Sequence, residues 1–320
     1  MPNVLAVDLG GTKCSVAVVD RKGRIIVQRT EPVDVSSSSA PVHQIVQMAK
    51  DIAPGRRQRP FAAAGVAVPG LVRRSGSVWA PNLPGWDRMP LGKHLANSLR
   101  IPVVVESDRN AALHGECWRG AGKGKSDVIV MMIGTGIGAG IMSGGYIVRG
   151  AHELSGCAGW LSALIVHDSS ASVLGELECH AAGPGIVNTA RARLHRGETS
   201  SLSRFDPAKI TAREVAAAAR GGDRLALDVF NRAGRLLGIA VANMVSLFDP
   251  QIIILGGGMA TAADLYLESL CNTMQKRAQP LAARQVKLVV SKLGERANLL
   301  GCARLAWLSL QKRNTSKGKR

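Results

Sequence analysis

VLAVDLGGTKCSVAVVD at residues 4–20 decides the reading of this chain, and VIVMMIGTGIGAGIMSGGYIV at 128–148 repeats its theme. In each, an apolar β-prone run (Val4 to Val7; Val128 to Ile133) enters a tight Gly/Thr turn and leaves as another β-prone run. This is the pattern of a hairpin whose turn brings backbone N–H groups close to an anion. Neither segment opens a helix with G-x-G-x-x-G. Gly124-Lys125-Ser126 has Arg119 where a Walker-type loop needs its first glycine, and it precedes a strand instead of following one. Either hairpin alone reads as an ordinary glycine turn. Together, with Asp8 just before one turn and Thr12 and Thr135 inside the two, they favour nucleotide binding, as two jaws for one polyphosphate.

Working outward from these turns, the chain resembles the ROK sugar kinases of the actin/hexokinase superfamily over nearly its whole length. DLGGTK at 8–13 resembles the family's first phosphate loop, and ESDRNAA at 106–112 its E-N-D-x-N-A catalytic segment. VAVPG at 66–70 and APNLPGW at 80–86 are similar to its sugar-domain segments. GTGIGAGI at 134–141, followed by RGA at 149–151, resembles the second phosphate loop, and DPQIIILGGGM at 249–259 the adenosine-side motif. The resemblance implies an α/β, two-domain actin-like ATPase (ribonuclease H-like) fold with an interdomain cleft. It also implies ATP and Mg²⁺ as cofactors, a small-molecule acceptor and a homodimer. The domains expected are 1–118 joined by a terminal helix near 299–310, then 119–298, with a basic disordered tail at 311–320.

Composition is consistent with this. A chain of 320 residues suggests two domains, and 46% hydrophobic content is ample for two cores, built mostly from Ala, Val, Leu and Ile because only 3% is aromatic. No apolar run reaches the roughly 18 residues that span a bilayer, and Met1-Pro2-Asn3 leads directly into a strand, so a soluble, cytoplasmic protein is expected. The six cysteines are scattered without a C-x-x-C pair and read as reduced thiols. The net charge of +18 is partly local, at Arg56, Arg57, Arg59, Arg73, Arg74 and the C-terminal lysines and arginines. It would concentrate ATP or another polyanion. No specific nucleic-acid partner is expected, because aromatic interleaving and known DNA-binding patterns are absent and the chain starts at the phosphate loop.

A β-meander is expected from 4 to about 31, turning at Arg21-Lys22-Gly23, with strands at Ala62–Val68 and Val103–Glu106 and helices at Val42–Ile52 and Asn110–Arg119. The second half repeats strand and hairpin, then turns helical: Gly183–Arg196, a helix opened by the capping box Thr211/Glu214, and Arg224–Phe248, before a strand at Ile252–Leu255.

Phosphoryl transfer needs a base near the acceptor hydroxyl, donors around the phosphates and a metal-binding carboxylate. Asp108 is the candidate base. By itself a carboxylate there could be an N-cap; the E-S-D-x-N resemblance favours catalysis. Asp8, inside a β-run where an unpaired carboxylate is costly, is assigned to Mg²⁺, directly or through water. Gly10, Gly11, Thr12 and Lys13 face Gly134, Thr135 and Gly136 as the two phosphate-binding sets. By resemblance Gly256, Gly257 and Gly258 let the backbone approach adenosine, though a plain turn reads nearly as well. Gly70, Asn82, Ser107, Cys157, Trp160 and Glu178 are the substrate-pocket candidates.

The departures concern that pocket. The family pattern R-G-A-x-G-x-x-G-E-x-G-H is RGAHELSGCAGW here, with Cys157 at the Glu that grips sugar and Trp160 at the His that also serves a structural zinc. The C-x-C-G-x-x-G-C zinc loop is replaced by VHDSSASVLGELE, so no zinc is expected. Glu178 still aligns with a sugar-contacting Glu. Trp160 reads either as a flat face for stacking or as a core residue filling the place of the zinc subdomain. The reading is therefore an ATP- and Mg²⁺-dependent ROK-type kinase with an altered acceptor pocket. A non-catalytic, regulatory ligand-binding protein and a polyphosphate-dependent sugar kinase stay open beside it.

Overall fold

The computed structural model describes residues 3–53, 60–163 and 175–317. Arg56, Arg57, Arg59 and most of the segment replacing the zinc loop lie outside the described residues. The chain divides into two units, one comprising Met1–Gly124, Ile147–Ser155 and Glu295–Arg320, the other Lys125–Tyr146 and Gly156–Gly294.

In the first unit the meander is β1 (Asn3–Leu9), β2 (Lys13–Val19) and β3 (Ile25–Pro32), each antiparallel to the last. The first turn between these strands is the glycine turn at 10–12. The second is held by Asp20, whose Oδ1 accepts from the N–H of Lys22 (2.9 Å) and Arg24 (2.8 Å). Helix α1 (Ala40–Asp51) leads to β4 (Phe61–Val68), which adds to β1 in parallel. The small pair β5 (Leu71–Val72) and β6 (Val78–Trp79), with α2 (Leu91–Leu99), precedes β7 (Val103–Ser107) and α3 (Asp108–Arg119). The sheet order is β3-β2-β1-β4-β7. Its apolar faces bury Leu5, Val7, Val16, Val18, Val66 and Val68 against α1 and the loop carrying Trp86.

The second unit repeats the plan. Its sheet runs β10-β9-β8-β11-β12, with β8 (Val128–Ile133) and β9 (Ile137–Ser143) antiparallel and β11 (Ile252–Gly256) parallel to β8. β10 is Tyr146–Ile147 and β12 is Lys287–Val290. Each sheet is thus an antiparallel trio extended by two parallel strands, the duplicated theme of the glycine hairpins. The helices are α4 (Glu176–Ala181), α5 (Gly183–His195), α6 (Ala212–Arg220), α7 (Arg224–Phe248), α8 (Leu267–Arg277) and α9 (Pro280–Gln285). Thr211 and Glu214 do form a capping box at the start of α6. The architecture is α/β with mixed sheets, as the sequence leads one to expect.

The last helix, α10 (Arg296–Lys317), belongs to the first unit and packs on β1, β4 and α3. It runs past the Leu310 end expected from sequence, so residues 311–317 are helical where a disordered tail was expected, and 318–320 lie outside the described residues. The approach is closer than any side chain allows. A Cβ on Gly301 would lie 1.7 Å from the Ala111 carbonyl oxygen, and one on Gly65 would lie 1.9 Å from that of Cys302. Among the described residues no helix is long and apolar enough to cross a membrane.

Candidate active site

Asp8 is the last residue but one of β1, paired with Ser15 on one side and Ala67 on the other. Burial pushes its carboxyl up to about 6, against the hydrogen bond from Asn298; the nearby Asp108 carboxylate pushes the same way as burial. Asn298, on α10, donates its Nδ2 to Asp8 Oδ1 at 3.1 Å. Asn298 Oδ1 is buried and has no hydrogen-bond partner among the described residues. A carboxylate with one protein donor beside an orphaned acceptor suits a hydrated cation, whose bound water would donate to the amide oxygen while the cation draws off the carboxylate charge.

The pH consequence follows from the sign. Folded Asp8 holds its proton more tightly than the unfolded chain does, so stability falls as pH rises between the ordinary 3.8 and about 6. The full difference is worth ~3 kcal/mol. Asp8→Asn, whose Oδ1 still accepts from Asn298, is expected to be more stable than the native chain by up to about that much at pH 7.5, with the difference vanishing below pH 4. Thermal unfolding of both proteins at the two pH values, without nucleotide, measures it; equal stability at pH 7.5 would refute the strained assignment of Asp8.

The first glycine turn closes with Gly10 N–H on the Lys13 carbonyl at 2.9 Å, leaving Gly11 and Thr12 exposed at its tip. Asn82 lies against Gly11, where a Cβ would stand 3.7 Å from the Asn82 Cβ. The Lys13 ammonium pairs with Glu295, but both side chains are solvated, so the pair is weak and a phosphate can displace it. Gly70, with φ of 101°, turns the chain out of β4 against the Trp79 carbonyl.

Asp108 is the first residue of α3, and Ser107, buried, is the N-cap. The sequence reading starts that helix two residues later. The side chain of Asp108 takes no capping bond; its Oδ1 accepts from the next N–H, Arg109, at 2.7 Å. Burial raises its pKa, opposed by Arg109. Its neighbour Glu106 behaves oppositely. Burial would raise that carboxyl too, but the Arg149 guanidinium, the Ser107 N–H and Asn110 outweigh it and hold it below the usual range. Arg149 NH1 donates to Glu106 Oε1 at 3.1 Å and NH2 to Oε2. Two carboxyls two residues apart are therefore tuned apart, Glu106 fixed as an anion and Asp108 poised to take a proton.

In the second unit the GTG turn closes with Gly134 N–H on the Gly136 carbonyl at 2.9 Å, and Thr135 is exposed at the tip. Glu178, a sugar-pocket candidate, accepts from the Ile137 N–H with Oε2 at 2.7 Å, which braces the base of this turn. Gly183 donates its N–H to the Gly134 carbonyl at 2.9 Å and so sets the N-terminus of α5, the end that favours anions, beside the turn. Gly256, Gly257 and Gly258 follow on the other side. Gly257 has φ of 84°, and a Cβ there would stand 2.4 Å from the Ile133 carbonyl oxygen; Gly134 faces Gly258. Thus Gly134, Gly183 and Gly258 converge.

Cys157 precedes a single 3-10 turn of which Trp160 is the last residue, and Trp160 is 61% exposed. It fills no core, which removes the packing alternative. Among the described residues no group of three or more His, Cys, Asp or Glu is placed to hold a metal ion. Sequence reasoning missed Asn298, Arg149 and Gly183 as site residues. Arg149 alone had a signal, in the RGA motif.

Paired sheets of this topology, each opening on a glycine hairpin, with a tuned carboxyl at a strand end, define the actin-like ATPase class of fold. Within it the chain belongs to the ROK family, whose sequence model matches residues 4–308. It is 30% identical to the glucokinase of Thermotoga maritima over 309 residues, covering 94% of this chain and 96% of that one. It is 29% identical to a putative xylose repressor of a Caldicellulosiruptor species, covering 93% of this chain and 76% of that one. Among solved structures, a ROK family glucokinase from Streptomyces griseus in complex with glucose and AMPPNP superposes with a TM-score of 0.81 at 30% identity, covering 96% of this chain and 99% of that one.

Proposed function

We propose that this chain is an ATP- and Mg²⁺-dependent kinase that phosphorylates a hydroxyl of a sugar or sugar-like molecule. The observation that carries it is the Asp108 carboxyl, raised by burial at the end of β7, beside a Glu106 held ionised. Asp108 accepts the acceptor's proton as the hydroxyl oxygen bonds to the γ-phosphorus, and ADP leaves with the electrons of the broken P–O bond. The tips at Gly11–Thr12 and Thr135–Gly136 offer N–H and hydroxyl donors to the phosphates, and the start of α5 adds its dipole. Bound Mg²⁺ would neutralise charge on the phosphate oxygens, and Asp8 with Asn298 would hold it through water. Gly257 and Gly258 supply the adenosine side.

The acceptor is the open part. With Cys157 and Trp160 in place of a carboxylate and an imidazole, the pocket has lost hydroxyl-reading groups, and a site discriminates chiefly through polar groups it leaves unpaired. An exposed Trp160 offers an apolar face for a sugar ring. Glucose is therefore expected to be a poor acceptor. A coupled ADP-release screen across hexoses, amino sugars and polyols tests this, run with ATP and with polyphosphate as donors. Turnover of glucose within about tenfold of the best acceptor would contradict the pocket reading. Activity with polyphosphate alone would contradict the donor. The same two substitutions, with a repressor among the relatives, favour the second reading of a sugar-sensing regulator, which binds sugar without transfer.

A further inference from the structure

Glu153 has a backbone φ of 61°, the left-handed region that favours glycine. The family pattern quoted above places a glycine here, R-G-A-x-G against R-G-A-H-E. A charged residue persists in that conformation only where its surroundings over-determine it. The determinants are visible. Glu153 Oε1 accepts from Arg74 Nε at 2.7 Å, and Oε2 lies 3.7 Å from Arg149 NH1. Its carbonyl oxygen accepts from Arg109 NH2 at 3.3 Å. Arg149 in turn grips both oxygens of Glu106. Glu153 therefore fastens the residues on either side of the Glu106–Asp108 corner, Arg109 directly and Glu106 through Arg149. The Glu153 side chain is 9% exposed although Arg74 is largely solvated.

We propose that Glu153 is a positioning residue for phosphoryl transfer, aligning Asp108 through Arg109 and through the Arg149–Glu106 pair. It rests on the reading of Asp108 as the base. It makes no contact with substrate in this role. The carboxylate absent at position 157 is not replaced as a sugar ligand; a carboxylate four residues earlier instead stiffens the base.

Glu153→Gly separates positioning from folding, because it relieves the left-handed backbone and keeps the carbonyl for Arg109 while deleting the carboxylate. Glu153→Gln keeps the side-chain shape and removes only its charge. In the full chain both are expected to lower kcat for the best acceptor about tenfold, with KM for MgATP within about twofold, since small misplacements of a base are costly to the chemical step alone. Amide hydrogen exchange over residues 107–112 is expected to accelerate about tenfold, with the rest of the chain unchanged. Native kcat in Glu153→Gly, or a loss of kcat equal to the loss of folded protein, would overturn the proposal. If the native chain transfers no phosphate to any acceptor, the kinase reading has failed and the role in transfer with it, and the exchange measurement decides the geometry alone: unchanged protection at 107–112 would overturn the bracing by Glu153, and selective loosening would support Glu153 as the brace of the Glu106–Asp108 corner.

Discussion

Asp108→Asn is expected to reduce kcat by about 10³-fold while leaving the protein folded and MgATP bound with near-native affinity. The magnitude is that of removing a general base whose proton acceptance accompanies attack on phosphorus. Folding is expected to survive because Asn Oδ1 still accepts from the Arg109 N–H, the bond that Asp108 makes now at 2.7 Å. Burial raises the Asp108 pKa, so the ionised form is the one the fold disfavours and a neutral amide costs nothing on that account. At pH 8 the variant should melt no lower than the native chain. For the same reason the acid limb of the native kcat/KM profile should lie above the ordinary carboxylate range near pH 4, and it should be absent from the residual rate of the variant. Steady-state kinetics with the best acceptor, nucleotide titration and thermal unfolding check the three parts. A variant that is folded, binds MgATP and retains kcat within about tenfold of native would remove Asp108 from the chemistry.

Gly301→Ala carries the largest expected effect on stability. An alanine in a helix interior gains about 1 kcal/mol in intrinsic propensity over glycine. Against this, the new methyl would stand 1.7 Å from the Ala111 carbonyl oxygen and 2.5 Å from its carbon, which are backbone atoms of α3 with no rotamer to yield. Overpacking of a close-packed contact costs about 1–3 kcal/mol and more where backbone must move. Here two helices must separate, so the net loss is expected at about 3 kcal/mol. Gly65 and Gly115 approach the same helix almost as closely, with a Cβ at 1.9 Å from the Cys302 carbonyl oxygen and at 2.1 Å from that of Ala297, so α10 is seated by backbone contact at three places. The displacement would also shift Asn298 off Asp8, coupling the packing of α10 to the carboxylate proposed to hold Mg²⁺ through water. Urea unfolding of Gly301→Ala beside the native chain measures the cost; an unchanged midpoint would show that α10 is not seated as described.

What was legible in the sequence was what short-range chemistry specifies. The alternation of Val4 to Val19 and the glycine between its strands determine a hairpin locally, and the same holds for Val128 to Ser143. The Thr211/Glu214 box and the apolar spacing of α7 are equally local. Strands β5 and β6 and helix α2 are not legible, because two-residue strands and a nine-residue helix starting behind Pro90 carry little periodicity. Within the site, Asp8 and Asp108 could be named from motif and strand position, but their partners could not. Asn298 meets Asp8 across 290 positions, and nothing around NLLGCARL marks an amide bound for a carboxylate. Glu178 is legible as a sugar-pocket candidate by motif, but not the bond its Oε2 accepts from the Ile137 N–H, which depends on where α4 lands. The left-handed backbone at Glu153 has a trace only in the glycine of the family pattern; the partners that hold a glutamate there, Arg74 and Arg109 from distant parts of the chain and Arg149 four residues before it, have none.

The central claim is that the carboxyl at the end of β7 drives transfer of a phosphoryl group to a small hydroxyl compound. The most direct measurement is the movement of label from γ-labelled ATP to the best-binding acceptor, followed by chromatography, with native protein and Asp108→Asn side by side. The account predicts many labelled acceptor molecules per native protein molecule and essentially none with the variant. Acceptor binding that protects the native chain against heat, with no labelled product formed, would contradict it and leave a sugar sensor in its place.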